Sequence, residues 1–206
     1  MLKYKKYNYE VFNFFIKINS KYKSQCNFIK KLKLNDLIEN LKFSINNNFK
    51  FLSEYIFDIL IKKRKNNKFR SSLLFVLIYC NNNEIINYLV EKLLKLNKDI
   101  KNIKYNNDFT ALHSLVCKNN LEGVKIILQH NLKIDLRNNK NYTALHLASS
   151  NGNIEIVKLL LKYGADKDLK VNDLTALEIA EKTKERLELT GDNRKYLYPK
   201  IIDLLK

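Results

Sequence analysis

Apolar positions in the C-terminal half of the chain recur at helical spacing, as paired short stripes separated by glycines. After Thr143 the first stripe is Leu145, Leu147 and Ala148. The second is Ile154, Ile156, Val157, Leu160 and Leu161. Both match one face of an α-helix. Thr143 stands where a helix N-cap is expected, with a hydroxyl able to accept from a free amide of the first turn. Gly152 divides the stripes and supplies the left-handed residue of a tight helix–helix turn. Gly164 ends the second stripe as a C′ glycine. Polar "ADKDLKVNDL" then leads to Thr175. The predicted unit is helix, tight turn, helix, extended loop. Neither stripe can be buried within one unit, so units must stack.

The unit recurs. "TALHLASSNGNIEIVKLLLKYGAD" runs from 143 to 166 and "FTALHSLVCKNNLEGVKIILQHN" from 109 to 131. A third start, "LTALEIAEK", opens at Leu174. The threonines are 33 and 32 residues apart, a period that signals stacked supersecondary units. In the earlier copy Asn119 and Asn131 take the glycine positions. Asn is the usual second choice for a left-handed residue. Leu115 takes the place of the small Ala148. The copy at Thr175 keeps its first helix start, with Glu178 at the His position. Its inter-helix turn is replaced by the charged "EKTKERLELTGDNRK" before a last helix, "PKIIDLLK".

These residues resemble the ankyrin repeat: a T-x-L-H-x-A helix start, an internal glycine, an I-V-x-x-L-L second helix and a G-A-D exit. Ala144 replaces the usual proline at little cost, since Ala is a good helix former. The resemblance implies an all-α solenoid of helix-turn-helix units with hairpin-like loops. It is strongest over 105–206, which reads as repeats with an atypical C-terminal cap. Residues 34–104 read as diverged repeats. There "SSLLFVLIYCNNNEIINYLV" aligns Ser72 with the Thr cap, Asn81 with the glycine, and Ile85, Ile86 and Leu89 with the second helix. Residues 34–61 form a weaker copy, and 1–33 a helical segment or cap. The resemblance further implies that His113 and His146 are scaffold, their rings bonded to the Thr hydroxyl and nearby backbone.

Composition agrees. Four Gly and one Pro in 206 residues argue against a turn-rich β fold. Three widely spaced Cys (Cys26, Cys80, Cys117) form no CxxC pair, so no metal site is expected, and they read as small buried apolar residues. The densest apolar run, residues 73–80, is too short to span a bilayer. The basic N-terminus lacks a small-residue cleavage site and reads as no signal peptide. No nucleophile elbow, phosphate loop or H-E-x-x-H motif is present, so the expected protein is not an enzyme and needs no cofactor. The expected location is the cytoplasm, with the nucleus as the alternative, and the expected state a monomer.

The net charge is +17, of which residues 1–70 carry +12. Such a charge points either to an anionic partner or to drift. The 33 Lys against five Arg, with abundant Asn, Ile, Tyr and Phe, fit an AT-rich genome, as in some viruses. Lys62, Lys63, Arg64 and Lys65 form a basic run of nuclear-import or phosphate-contact type, or a solvated loop.

A stacked repeat without catalytic residues offers an extended surface to another macromolecule. The resemblance implies loop tips and the exposed side of the first helices. These are Asn106, Asn107 and Phe109 with Cys117 and Lys118; Asn139, Lys140 and Tyr142 with Ser150 and Asn151; and Leu174 with Lys182 and Thr183. Phe109, Tyr142 and Leu174 all precede the Thr and form an expected ladder. The expected partner is a protein. The alternative is a nucleic acid or anionic surface held by the basic N-terminal third.

Overall fold

A computed structural model describes residues 32–63, 67–80, 82–96, 102, 104 and 108–206. The segment 1–31 and the residues Asn81, Asn106 and Asn107 lie outside the described residues. The chain divides into two compact units, Met1–Arg64 and Lys65–Lys206.

In the first unit, α1 (Leu34–Asn46) packs on α2 (Lys50–Lys63). Leu37, Leu41, Ile45, Ile56, Phe57 and Leu60 are buried between them. The hydroxyls of Ser44 and Ser53 lie 2.8 Å apart within that core, so neither polar atom is stranded. Asn48 at φ 62° makes the turn between the helices.

The second unit holds four further pairs. These are α3 (Asn67–Ile78) with α4 (Asn83–Leu96), α5 (Ala111–Cys117) with α6 (Leu121–Leu128), α7 (Ala144–Asn151) with α8 (Ile154–Lys162), and α9 (Ala176–Leu189) with α10 (Tyr198–Leu205). First helices pack in one row, α3 on α5, α5 on α7 and α7 on α9. Second helices pack in another, α4 on α6, α6 on α8 and α8 on α10. The apolar stripes meet between the rows: Leu112, Leu115, Val124 and Ile127 in one repeat, Leu145, Ala148, Val157 and Leu160 in the next. Each fully buried Leu or Ile stabilises by roughly 1.5–3 kcal/mol. That exceeds the roughly 1 kcal/mol of one helix cap, so stacking carries the fold and the caps set where helices begin.

The turn residues behave as their chemistry requires. Asn119, Asn131, Gly152 and Gly164 all have positive φ. At Gly152 an added Cβ would also come within 3.3 Å of Leu197 Cδ1. Leu115, larger than its counterpart Ala148, is buried, and the space comes from Gly123 on α6. A Cβ there would lie 2.6 Å from Leu115 Cδ2. The equivalent positions in the next repeat are the buried Ile156 and the small, buried Ala148. The two repeats fill the same volume with the large residue on opposite helices, as close packing demands.

Three expectations need correction. Ser72 is not a cap: it lies inside α3, which begins five residues earlier at Asn67. No loop precedes it at that point, so its amide does not start a helix. Cys80 is buried, but Cys117 is exposed at the end of α5. Thr183 is buried, its hydroxyl donating back to Ile179 O at 2.7 Å, and offers no surface. The charged stretch after Thr175 is a lengthened first helix. α9 runs 14 residues against seven and eight in α5 and α7. It ends at Gly191 (φ 71°), and a 3₁₀ turn over Asn193–Leu197 leads into α10. Tyr198 anchors that turn. Its ring is 2% exposed and its hydroxyl donates to Ser150 O at 2.6 Å.

Candidate partner-binding face

The loop tips are built from the Thr–His start of each repeat. Thr143 is extended and its hydroxyl accepts from His146 N at 3.4 Å. The His146 ring returns the contact: Nδ1 lies 2.8 Å from Thr143 Oγ1 and accepts the Thr143 amide at 3.3 Å. An amide can only donate, so Nδ1 is unprotonated and Nε2 carries the ring proton. Nε2 donates to Leu169 O in the following loop at 2.9 Å. Thr110 and His113 repeat this geometry, with Nε2 donating to Tyr142 O at 3.0 Å. Each buried ring thus caps its own helix and pins the next loop. Burial pushes both imidazoles below their ordinary value, against the opposing pull of those carbonyl bonds. In the last repeat Glu178 takes the same role: Oε2 accepts from Thr175 N at 2.7 Å and from its hydroxyl at 2.8 Å. Those bonds hold its carboxyl below the usual range.

The loops held this way are tight. Buried Asn138 accepts from the amides of Lys140 and Tyr142 at 2.9 and 3.0 Å, and Asn141 turns at φ 63°. In the next loop Val171 and Leu174 bridge around Asn172 and Asp173, both at positive φ. That is the two-residue turn of a β-hairpin. Asn139 and Lys140 are exposed at the first tip. Phe109, Tyr142 and Leu174 are half-buried. The Phe109 ring sits 5.5 Å from His113 and the Tyr142 ring 6.2 Å from His146, edge-on. Each aromatic therefore rests on its scaffold His and keeps part of its surface in solvent.

On the first helices Asn151 and Lys182 are exposed and Ser150 is half-buried, its carbonyl taken by Tyr198. Lys118 is exposed as a residue, yet its ammonium donates to Ile78 O at 2.7 Å and Cys80 O at 3.0 Å. Desolvation draws its pKa down. It ties the end of α5 to the end of α3 and hangs 5.5 Å above the Tyr79 ring. Tyr79 is a face residue that the sequence reading missed. It is 62% exposed. It follows Ser72 by seven residues, as Cys117, Ser150 and Lys182 follow their threonines. Counting seven from Ser72 would have found it. Arg137 was missed too: Nη1 donates to Asn141 O at 3.3 Å and to Lys170 O at 2.7 Å, joining adjacent loops.

Lys62 and Lys63 are exposed at the end of α2, where cations suit the helix dipole, and Lys63 Nζ donates to Leu32 O at 3.1 Å. Arg64 and Lys65 lie outside the described residues. Among the described residues, no group of His, Cys, Asp and Glu could hold a metal, and no helix is long and apolar enough to cross a membrane.

Comparison with known proteins agrees with this geometry. No curated protein matches the chain. A family model described as ankyrin repeats (3 copies) matches at residues 6–138, 89–173 and 131–189. Such repeats are generally protein–protein interaction modules and typically not enzymes. The Thr–His boxes at 110–113 and 143–146 lie within the matched residues, and the chain belongs to the ankyrin-repeat family.

Proposed function

We propose that this chain is a non-catalytic adaptor that binds a protein partner through the loop tips and first-helix face of its repeats. The observation that supports it is the ladder of Phe109, Tyr142 and Leu174, half-buried at one register beside the exposed Asn139, Lys140, Asn151 and Lys182. Partly exposed aromatic anchors among adaptable polar groups have the composition of an interface core. Tyr79, with Lys118 held over it, extends the same row toward the preceding repeat. The adaptor acts as a monomer in the cytoplasm in this reading, with no cofactor.

The test is a pull-down of the tagged chain from its host's lysate, with and without nuclease, beside the Phe109→Ala/Tyr142→Ala variant. A protein partner that survives nuclease and is lost with the variant is the expected result. The variant's melting curve separates lost contact from lost fold, because both rings also pack on histidines. The second reading, a nucleic-acid or anionic-surface binder, is favoured by the +12 charge of residues 1–70. Its expected result is capture that nuclease abolishes and the variant leaves alone, with affinity falling linearly in log salt.

A further inference from the structure

Ion pairs stand on both sides of the repeats, Lys104 with Asp108 in the loop before Thr110 and Lys184 with Glu188 on α9 among them. On the second helices, Lys125 and Lys158 stand three residues from Glu122 and Glu155 and pair with them. At the loop tips stand Arg137, Lys140 and Lys170. Among the described residues none of these three is in an ion pair. The carboxylates nearby are Asp135, which accepts the Asp166 amide at 3.2 Å and feels the Arg137 charge, Glu178, which feels the Lys170 charge, and the exposed Asp173.

Arg137 is the informative member. Its Nη1 is committed to two carbonyls, one on each of two adjacent loops, so the guanidinium is held in place. Its Nε and Nη2 have no acceptor among the described residues. That edge of a guanidinium is a planar pair of donors matching the two oxygens of a carboxylate. Holding the fork in advance lowers the entropy lost when a ligand binds. Lys140 and Lys170, exposed on the two loops that Arg137 joins, add positive charge on either side of it.

We propose that the partner presents an acidic stretch, rich in Asp or Glu, to the loop tips. One carboxylate is clamped by the free edge of Arg137, and neighbouring ones are attracted by Lys140 and Lys170. This rests on the adaptor reading and specifies the chemistry of its partner.

The test is fluorescence anisotropy with the full chain and a short fluorescein-labelled peptide alternating Glu with Gly. The same peptide with Gln for Glu, and a short DNA duplex, serve as competing probes. Expected is binding of the Glu peptide that weakens with salt and falls at least about tenfold in Lys140→Glu/Lys170→Glu, the worth of a lost charge-assisted contact. Arg137→Lys, which keeps the charge and loses the fork, is expected to weaken it several-fold with little change in melting temperature. Lys125→Glu/Lys158→Glu changes net charge equally on the second helices and is expected to bind as the parent does. Equal losses from both reversals, or equal binding of the Gln peptide, would overturn the proposal. So would duplex binding that the loop reversal abolishes while the Glu peptide stays unbound. The pull-down keeps the two readings apart. A partner retained by Lys140→Glu/Lys170→Glu but lost with Phe109→Ala/Tyr142→Ala sinks the acidic stretch and leaves the adaptor. A partner retained by both sinks the adaptor reading itself.

Discussion

At the scale of the residue, His113 and His146 decide how acid affects the fold. Both rings are neutral, both are buried, and both use Nδ1 as an acceptor. A second proton would have to sit on Nδ1, facing an amide N–H. The folded-state pKa is therefore lowered, and between that value and the ordinary 6.5 the unfolded chain binds more protons. Stability rises with pH where the unfolded state holds more protons. Their contribution is complete above 6.5 and is lost as pH falls through the lowered value. The expected result is a urea midpoint that drops between pH 7 and pH 5, at no more than about 1.4 kcal/mol per pH unit for each ring. His113→Gln/His146→Gln is expected to be less stable at pH 7 and flat over that window. A parent chain with no slope there would mean that the rings accept a proton without loss of their bonds. The scaffold role of these rings was implied by the resemblance to the ankyrin repeat. That Nε2 reaches the following loop was not, since it depends on how closely successive repeats stack.

At the scale of the element, the exchange between Leu115/Gly123 and Ala148/Ile156 shows what periodicity misses. The pattern marks all four as positions of the helix pair but carries no information on which side chain fills the shared volume. Gly123→Ile alone is expected to overpack the α5–α6 contact by about 1–3 kcal/mol. Leu115→Ala alone leaves a cavity at about 2–5 kcal/mol. The double variant rebuilds the arrangement of the next repeat and is expected to lose less than the sum, a coupling that denaturation of all four proteins measures. Strict additivity would show that the two side chains do not share that space. Ser72 illustrates the same limit from the other side. A helix that starts upstream leaves it no cap to make. Thr183 was assigned to the surface by counting from Thr175. The lengthened α9 buries it instead, because the inter-helix turn moved to Thr190–Asp192.

At the scale of the whole molecule, the pair α9–α10 packs on the preceding one. α9 covers α7 and α10 covers α8, burying Ala176, Ile179, Ala180, Tyr198, Ile201 and Leu205. A chain ended at Tyr163 would expose the facing apolar surface of α7 and α8. The truncated chain is expected to show a lower urea midpoint and a smaller m-value, since less surface is exposed on unfolding. An unchanged midpoint would show that the last pair contributes nothing to its neighbours. The sequence by itself determined the unit and its period, because cap, stripe and left-handed turn are local requirements that each repeat must meet within its own residues. Only the tertiary structure decided which of the face residues are free to meet a partner. Lys118 is committed to two carbonyls of the preceding repeat, Ser150 to Tyr198, and Arg137 is fixed across two loops with one edge open. Apart from the local bond of Arg137 to Asn141, those bonds join residues about 33 to 48 positions apart, so they form only once the repeats stack.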